Sequence, residues 1–309
     1  MRIAYLIIAH QLPSQLVELV TALDHPEKSK FYIHVDQRSA DFFGSPSLKP
    51  IMDRENVLFL RDRVRVYWGG FSIVEATLRL IRKAVDEGGF EYAVLLSGQD
   101  FPIKSNRCIE SFFEAHEGKE FISYTPLPPK EWGWGPEIME RIECHWRADG
   151  VRRLLEMTGS KRLQRWGWGA YSRLTLSAYR YAPSLKRKFL PGIAPYGGPN
   201  WFAISSRCAT YVLYYLRDHP EFYRFFAHTL NADELFLQTL ILNSPYRDHV
   251  INDALRFTDW DTGASSPRVL TGEDFDRLVA SDSLYARKFD NTKYPDIISR
   301  IRSYIAVDV

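Results

Sequence analysis

The sequence predicts an α/β fold with a mostly parallel sheet, on three observations. Short, continuous apolar runs recur through the first 125 residues. Amphipathic stretches at helical spacing alternate with them. The runs stay apolar along their whole length instead of alternating with polar residues, as strands do when both faces of a sheet are covered.

The elements follow in order. Residues 3–9, IAYLIIA, read as a first buried strand. Ser14 opens a helix with Leu16, Val17, Leu19, Val20 and Leu23 on one side. Strands are expected at 31–35 and 56–60. A helix is expected over 71–84, with a capping box of Ser72 and Glu75. Residues 92–96 form the next strand. In such sheets ligands gather beyond the carboxyl ends of the strands, which here means 9–10, 34–36 and 97–100.

From 126 to 195 the character changes. Pro126, Pro128 and Pro129 break the pattern, and Trp132 and Trp134 stand among glycines. Residues 151–190 hold ten Lys or Arg and a single acid, Glu156, with Leu154, Leu155, Leu163, Trp166, Trp168, Leu174 and Leu176 able to form helix faces. This stretch reads either as a solvated basic helical insertion or as a surface that docks on an anionic membrane or an acidic glycan. A strand near 202–204, helices over 206–216 and 232–242, and a strand over 250–257 follow. With no repeat and no evident linker, the expectation is one continuous domain carrying an insertion.

Bulk composition narrows the function. The chain has 309 residues, 45% hydrophobic and 14% aromatic, with a net charge of +2. No global field calls for nucleic acid. Cys108, Cys144 and Cys208 are odd in number and form no CxxC, which argues against a disulfide scaffold or zinc finger and for a reduced, cytoplasmic protein. The start reads as a strand rather than a signal peptide, and no run of eighteen apolar residues occurs.

Three places offer chemistry. Trp68-Gly69-Gly70-Phe71-Ser72 is a Gly-Gly turn leading into a helix, where unpaired N–H groups can meet a phosphate. It is neither a P-loop nor a GxGxxG fingerprint, so a nicotinamide dehydrogenase is poorly supported. After the 92–96 strand, Ser97-Gly-Gln-Asp100 supplies one carboxylate where a metal-binding Asp-x-Asp would supply two. Asp259-Trp-Asp261 and Asp274-Phe-Asp276 leave a metal-dependent alternative open. Without a metal, Arg and Lys must meet a diphosphate's charge, and the adjacent Arg287 and Lys288 become the candidate clamp, against the plainer reading of a surface turn. Asp233 and Glu234 open a helix about 100° apart, so only one can face a given cleft and serve as a base.

Six pieces, in order, carry a family resemblance: FYIHVDQRS (31–39), WGGFS (68–72), LLSGQDFPIKSN (95–106), YGGPNWFAISSRCATYVL (196–213), ADELFLQTLILNSP (232–245) and YARKFD (285–290). The sequence resembles the core-2/I-branching β-1,6-N-acetylglucosaminyltransferases and their relatives, the peptide O-xylosyltransferases. WGG, Glu143-Cys-His-Trp-Arg147, LRFTDW (255–260) and ARKF are nearer the xylosyltransferase branch. The resemblance implies a GT-A-type glycosyltransferase fold, a UDP-sugar donor, inversion at the anomeric carbon, and no metal or other cofactor. It implies Glu234 as base and Asp36, Gly69, Gly70, Asp100, Arg268, Arg287 and Lys288 as nucleotide and diphosphate contacts. Asn200, Trp201 and Trp260 fall on the acceptor side. The expected partition is a nucleotide-binding part (1–125), the basic aromatic insertion (126–195) and an acceptor and catalytic part (196–309). The expected partners are a UDP-sugar, a glycan or glycolipid acceptor, and a membrane surface through 151–190, at the inner face of the membrane. A glycan-binding protein without turnover is the alternative of a different class.

Overall fold

The computed structural model describes residues 1–25, 27–128, 137–260 and 266–307. Pro129, Trp132 and Trp134 lie outside the described residues, as does Asp261.

Twelve strands are described. They are β1 (Ile3–Ala9), β2 (Ser29–Val35), β3 (Val57–Phe59), β4 (Tyr92–Ser97), β5 (Asp100–Pro102) and β6 (Glu120–Ile122), then β7 (Thr125–Pro126), β8 (Tyr196–Gly197), β9 (Phe202–Ser205), β10 (Val250–Ile251), β11 (Arg256–Thr258) and β12 (Tyr285–Arg287). Seven form the main sheet in the order β10-β6-β9-β4-β1-β2-β3. β1 pairs in parallel with β2 and β4, and β2 with β3, while β9 is antiparallel to both β4 and β6. The expected mostly parallel α/β sheet is therefore present. Strands from 1–125 and from 196–309 interleave in it.

Strand periodicity divides the core in two. Ile3, Tyr5 and Ile7 of β1 face one cluster, with Leu16, Leu19, Phe113 and Ile298. Ala4 and Leu6 face the other, with Leu80, Ile81, Val212 and Phe236. Helices thus cover both faces, which explains the continuous apolar strands.

Three local expectations are corrected. The helix Ser72–Glu87 has no Ser72–Glu75 capping box: Ser72 Oγ accepts from Tyr67 N at 2.8 Å, and Glu75 accepts from the Tyr223 hydroxyl at 2.7 Å. The helix expected over 232–242 is a 3-10 turn, Ala232–Glu234, followed by Phe236–Leu242, because Leu235 leaves helical geometry at φ −133°. The strand expected over 250–257 is two strands in different sheets, β10 and β11. Leu255, at φ 54°, turns the chain between them, and Asp253 Oδ1 accepts its N–H at 2.7 Å.

The basic insertion is helical, as expected. It comprises Ala148–Glu156 and Lys161–Tyr181.

Candidate active site

Beyond the carboxyl ends of β1, β2 and β4 the chain builds a closed ring of contacts. It starts at Asp36, just after β2, whose N–H donates to Ala9 O at 2.8 Å. The Asp36 carboxylate takes the Arg38 fork, with Nη2 to Oδ2 at 2.8 Å, and also accepts from Arg38 N and Val66 N. Arg38 reaches Val66 O and lies over the Tyr67 ring at 4.7 Å. The chain then enters the Gly-Gly turn, where Gly69 O accepts from Asn231 N at 2.9 Å.

Asn231 begins the turn that carries Glu234. Gly198 N donates to Glu234 O at 2.9 Å. Three residues on, Trp201 stacks under the Arg287 guanidinium at 4.2 Å. An extended chain advances at most about 3.6 Å per residue, so at most about 11 Å separates the Gly198 backbone, bonded to Glu234, from that of Trp201, whose ring meets Arg287.

A three-stranded sheet, β11-β12-β5, closes the ring, with Arg287 directly opposite Asp100. Asp100 is fully buried. Ser97 Oγ donates to it at 2.6 Å, and the Nε atoms of Arg287 and Arg256 lie 3.3 and 3.4 Å from its two oxygens. Two cations share one carboxylate, so the cluster keeps a net positive charge. Arg256 is sealed in, with a side chain 2% exposed; that of Arg287 is 19% exposed. Burial lowers the pKa of both guanidiniums, and Asp100 opposes the shift. Lys288, joined to Arg287 by a cis peptide bond, donates to Ser266 Oγ at 3.0 Å. Backbone bonds from Phe289 N to Gln99 O and from Leu270 N to Lys288 O fix this end of β12.

The half-buried Glu234 side chain pairs with Arg141, Nη1 to Oε2 at 2.7 Å. Burial raises its pKa, against the lowering effect of Arg141. Neighbouring Asp233 is pushed up to about 7 by burial and then by the Glu234 charge.

Several expected contacts are differently placed. The helix start after Gly69-Gly70 presents no open N–H groups to a phosphate at Phe71 and Ser72. Asp149 Oδ2 accepts from Phe71 N at 2.7 Å and Ser72 N at 3.1 Å, while Oδ1 takes the Ser72 hydroxyl at 2.6 Å. A Cβ on Gly70 would stand 1.9 Å from Asp149 Oδ1, so the glycine makes room for an internal carboxylate. Asp36 is likewise saturated by Arg38 and Val66. Arg268 is held between Asp259, at 2.7 Å, and Asp274, so its fork is filled by carboxylates instead of being open to phosphate. Arg277 also pairs with Asp259 at 2.7 Å, which commits the one described carboxylate of Asp259-Trp-Asp261. Among the described residues no three His, Cys, Asp or Glu side chains are grouped to hold a metal ion.

Of the residues expected to meet an acceptor, Asn200 is half-buried and Trp260 is 56% exposed. Trp201 turns toward the cations, lying over Arg256 as well at 5.2 Å. Sequence reasoning missed Arg256, Arg141 and Asp149. Asp149 left a trace as an acid flanked by Arg147, Arg152 and Arg153, and Arg256 lay within the LRFTDW stretch without being assigned a role.

The family model described as Core-2/I-Branching enzyme matches residues 3–279. The chain belongs to this family. Within the family's wider kin, it is 26% identical over 96% of its length to xylosyltransferase 2 of Homo sapiens and 25% identical over 98% to xylosyltransferase 1 of Homo sapiens. It spans about a third of the length of these relatives, 33% and 30%. Among solved structures, apo mouse xyloside xylosyltransferase 1 aligns at 12% identity and TM-score 0.38, covering 94% of this chain and 99% of that one. S. aureus TarS 1–349 with UDP-GlcNAc aligns at 10% identity and TM-score 0.30, covering 49% and 43%.

Proposed function

We propose that this member of the family is an inverting, metal-independent GT-A-type glycosyltransferase that moves a sugar from a UDP-sugar to an acceptor hydroxyl. The observation that carries the reading is the Arg256–Asp100–Arg287 cluster, a buried source of positive charge with Arg287 at its accessible edge, on the same ring as a burial-raised carboxylate, Glu234. The xylosyltransferase relatives favour xylose over N-acetylglucosamine as the sugar. The acceptor is a glycan or glycolipid, a surface-glycan intermediate met in the cytoplasm at the inner face of a membrane.

In this mechanism Glu234 takes the proton of the acceptor hydroxyl as its oxygen attacks the anomeric carbon. The bond from that carbon to the UDP oxygen breaks on the opposite face, so configuration inverts. Arg287 and Lys288 meet the charge that grows on the leaving diphosphate, an interaction strongest in the transition state. Asp100 and Arg256 act as positioning residues that hold Arg287, and Arg141 orients Glu234.

UDP release from a panel of UDP-sugars, with and without excess chelator, tests the reading. Release from one donor that survives chelation is expected. Turnover that needs added metal would move the diphosphate site elsewhere, and UDP binding without turnover on any acceptor would leave a binding protein.

A further inference from the structure

The helix Lys161–Tyr181 contains no buried residue. One face is nevertheless docked. Trp168 stacks on Trp146, the Tyr171 hydroxyl accepts from Arg147 N at 2.6 Å, and the Tyr179 hydroxyl donates to Glu143 at 2.7 Å. The opposite face is open among the described residues. There Leu163, Trp166, Leu174 and Tyr181 are 51%, 68%, 73% and 87% exposed. At 100° per residue these four fall within a sector of about 80°.

Cations flank the stripe. Arg162 and Arg173 lie along one side, and neither makes an ion pair or a side-chain hydrogen bond among the described residues. The charge is local: 151–190 carries ten cations and one anion, while the rest of the chain carries 30 cations and 37 anions. A nucleic acid would use the arginines and leave the apolar stripe in water. A second copy would have to bring two such cationic faces together.

We infer that the outer face of Lys161–Tyr181 lies flat on an anionic phospholipid surface, with Leu163, Trp166 and Leu174 in the acyl boundary and Arg162 and Arg173 among the headgroups. An amphipathic helix of this composition binds in that way. The insertion also touches the site. Arg152 lies over Trp68 at 5.4 Å, and Glu156 accepts from the Tyr67 hydroxyl at 2.7 Å. Docking therefore holds the cleft at a fixed attitude to the bilayer. The inference rests on the proposed transferase reading only for a lipid-borne acceptor, and its test does not depend on turnover.

The test is co-sedimentation of the full chain with phosphatidylcholine vesicles, with and without phosphatidylglycerol. Binding to the anionic vesicles alone, weakening with salt, is expected. Arg162→Gln/Arg173→Gln should weaken it by roughly thirtyfold, at about fivefold per basic residue near the surface. Trp166→Ser/Leu174→Ser, which alters only exposed side chains, should weaken it by roughly tenfold or more at unchanged melting temperature. Absence of binding to anionic vesicles overturns the inference, as does binding indifferent to both variants. Loss of a concentration-dependent dimer in the apolar variant, without vesicle binding, would assign the face to a second copy. Vesicle binding by a chain that releases no UDP would leave this inference standing and remove the transferase reading alone.

Discussion

At Glu234, burial and a cation act in opposite directions. Burial raises its pKa and Arg141 restrains the rise. A base works only when deprotonated, so kcat/KM should fall as pH falls through this raised value, above the ordinary carboxylate range. Arg141→Met removes the restraint and should move that acid limb further up. A limb unmoved by this change would place the base elsewhere. Glu234→Gln should cut turnover by on the order of a hundredfold to ten-thousandfold while leaving UDP affinity within a few-fold. Across the ring, Arg287→Ala and Lys288→Ala should weaken UDP by roughly tenfold or more and uridine far less, since a charge-assisted contact to the diphosphate is what they lose. Calorimetry with both ligands reads the difference. At this scale the sequence was legible where chemistry is local. Two acids at a turn and two adjacent cations announce themselves. Arg141, 93 residues from Glu234, and Arg256, buried under Trp201, are brought to their partners only by the fold.

The Gly-Gly turn shows how an element can be read correctly in place and differently in purpose. Its glycines were legible as a site of close approach, but what approaches is Asp149, from the insertion. Gly70→Ala should cost about 1–3 kcal/mol in a urea melt, through a methyl group forced against that carboxylate. In an Asp149→Ala background the same change should cost markedly less, because the clash partner is gone, and a double-mutant cycle reads the coupling. A second element has a pH signature. Glu120, on β6, is buried against Ser205, which donates to it through N and Oγ at 2.6 Å each, and burial raises its pKa to about 7. The folded chain then holds a proton that the unfolded chain releases earlier. Its contribution to stability is therefore present at low pH and lost as pH rises from the usual carboxylate range through about 7. Glu120→Gln should flatten that part of the stability profile. Long apolar strands such as β1 and β4 were legible throughout their length. The short pieces after residue 231 were not, because Leu235 and Leu255 depart from regular geometry through local backbone turns that periodicity does not report.

Over the whole molecule, the alternation of strands and helices identified the sheet, while its strand order came from pairings across long separations. β9 enters between β4 and β6, and β12 returns to β5. A ligand that bridges this ring should stabilise the whole fold: UDP at a hundredfold over its Kd adds about 2.7 kcal/mol and raises the melting temperature accordingly. The bond from Phe289 N to Gln99 O ties residues 190 apart, and the Gln99 amide reaches the same Phe289 carbonyl. Closing so long a loop costs entropy before any contact rewards it. The β1–β2 and β1–β4 pairings span far less chain. In refolding, the helical and sheet signals should therefore recover first and UDP binding afterwards. The cleft is then the last part of this fold to form, because Gln99 must wait for Phe289, 190 residues on, before the ring can close.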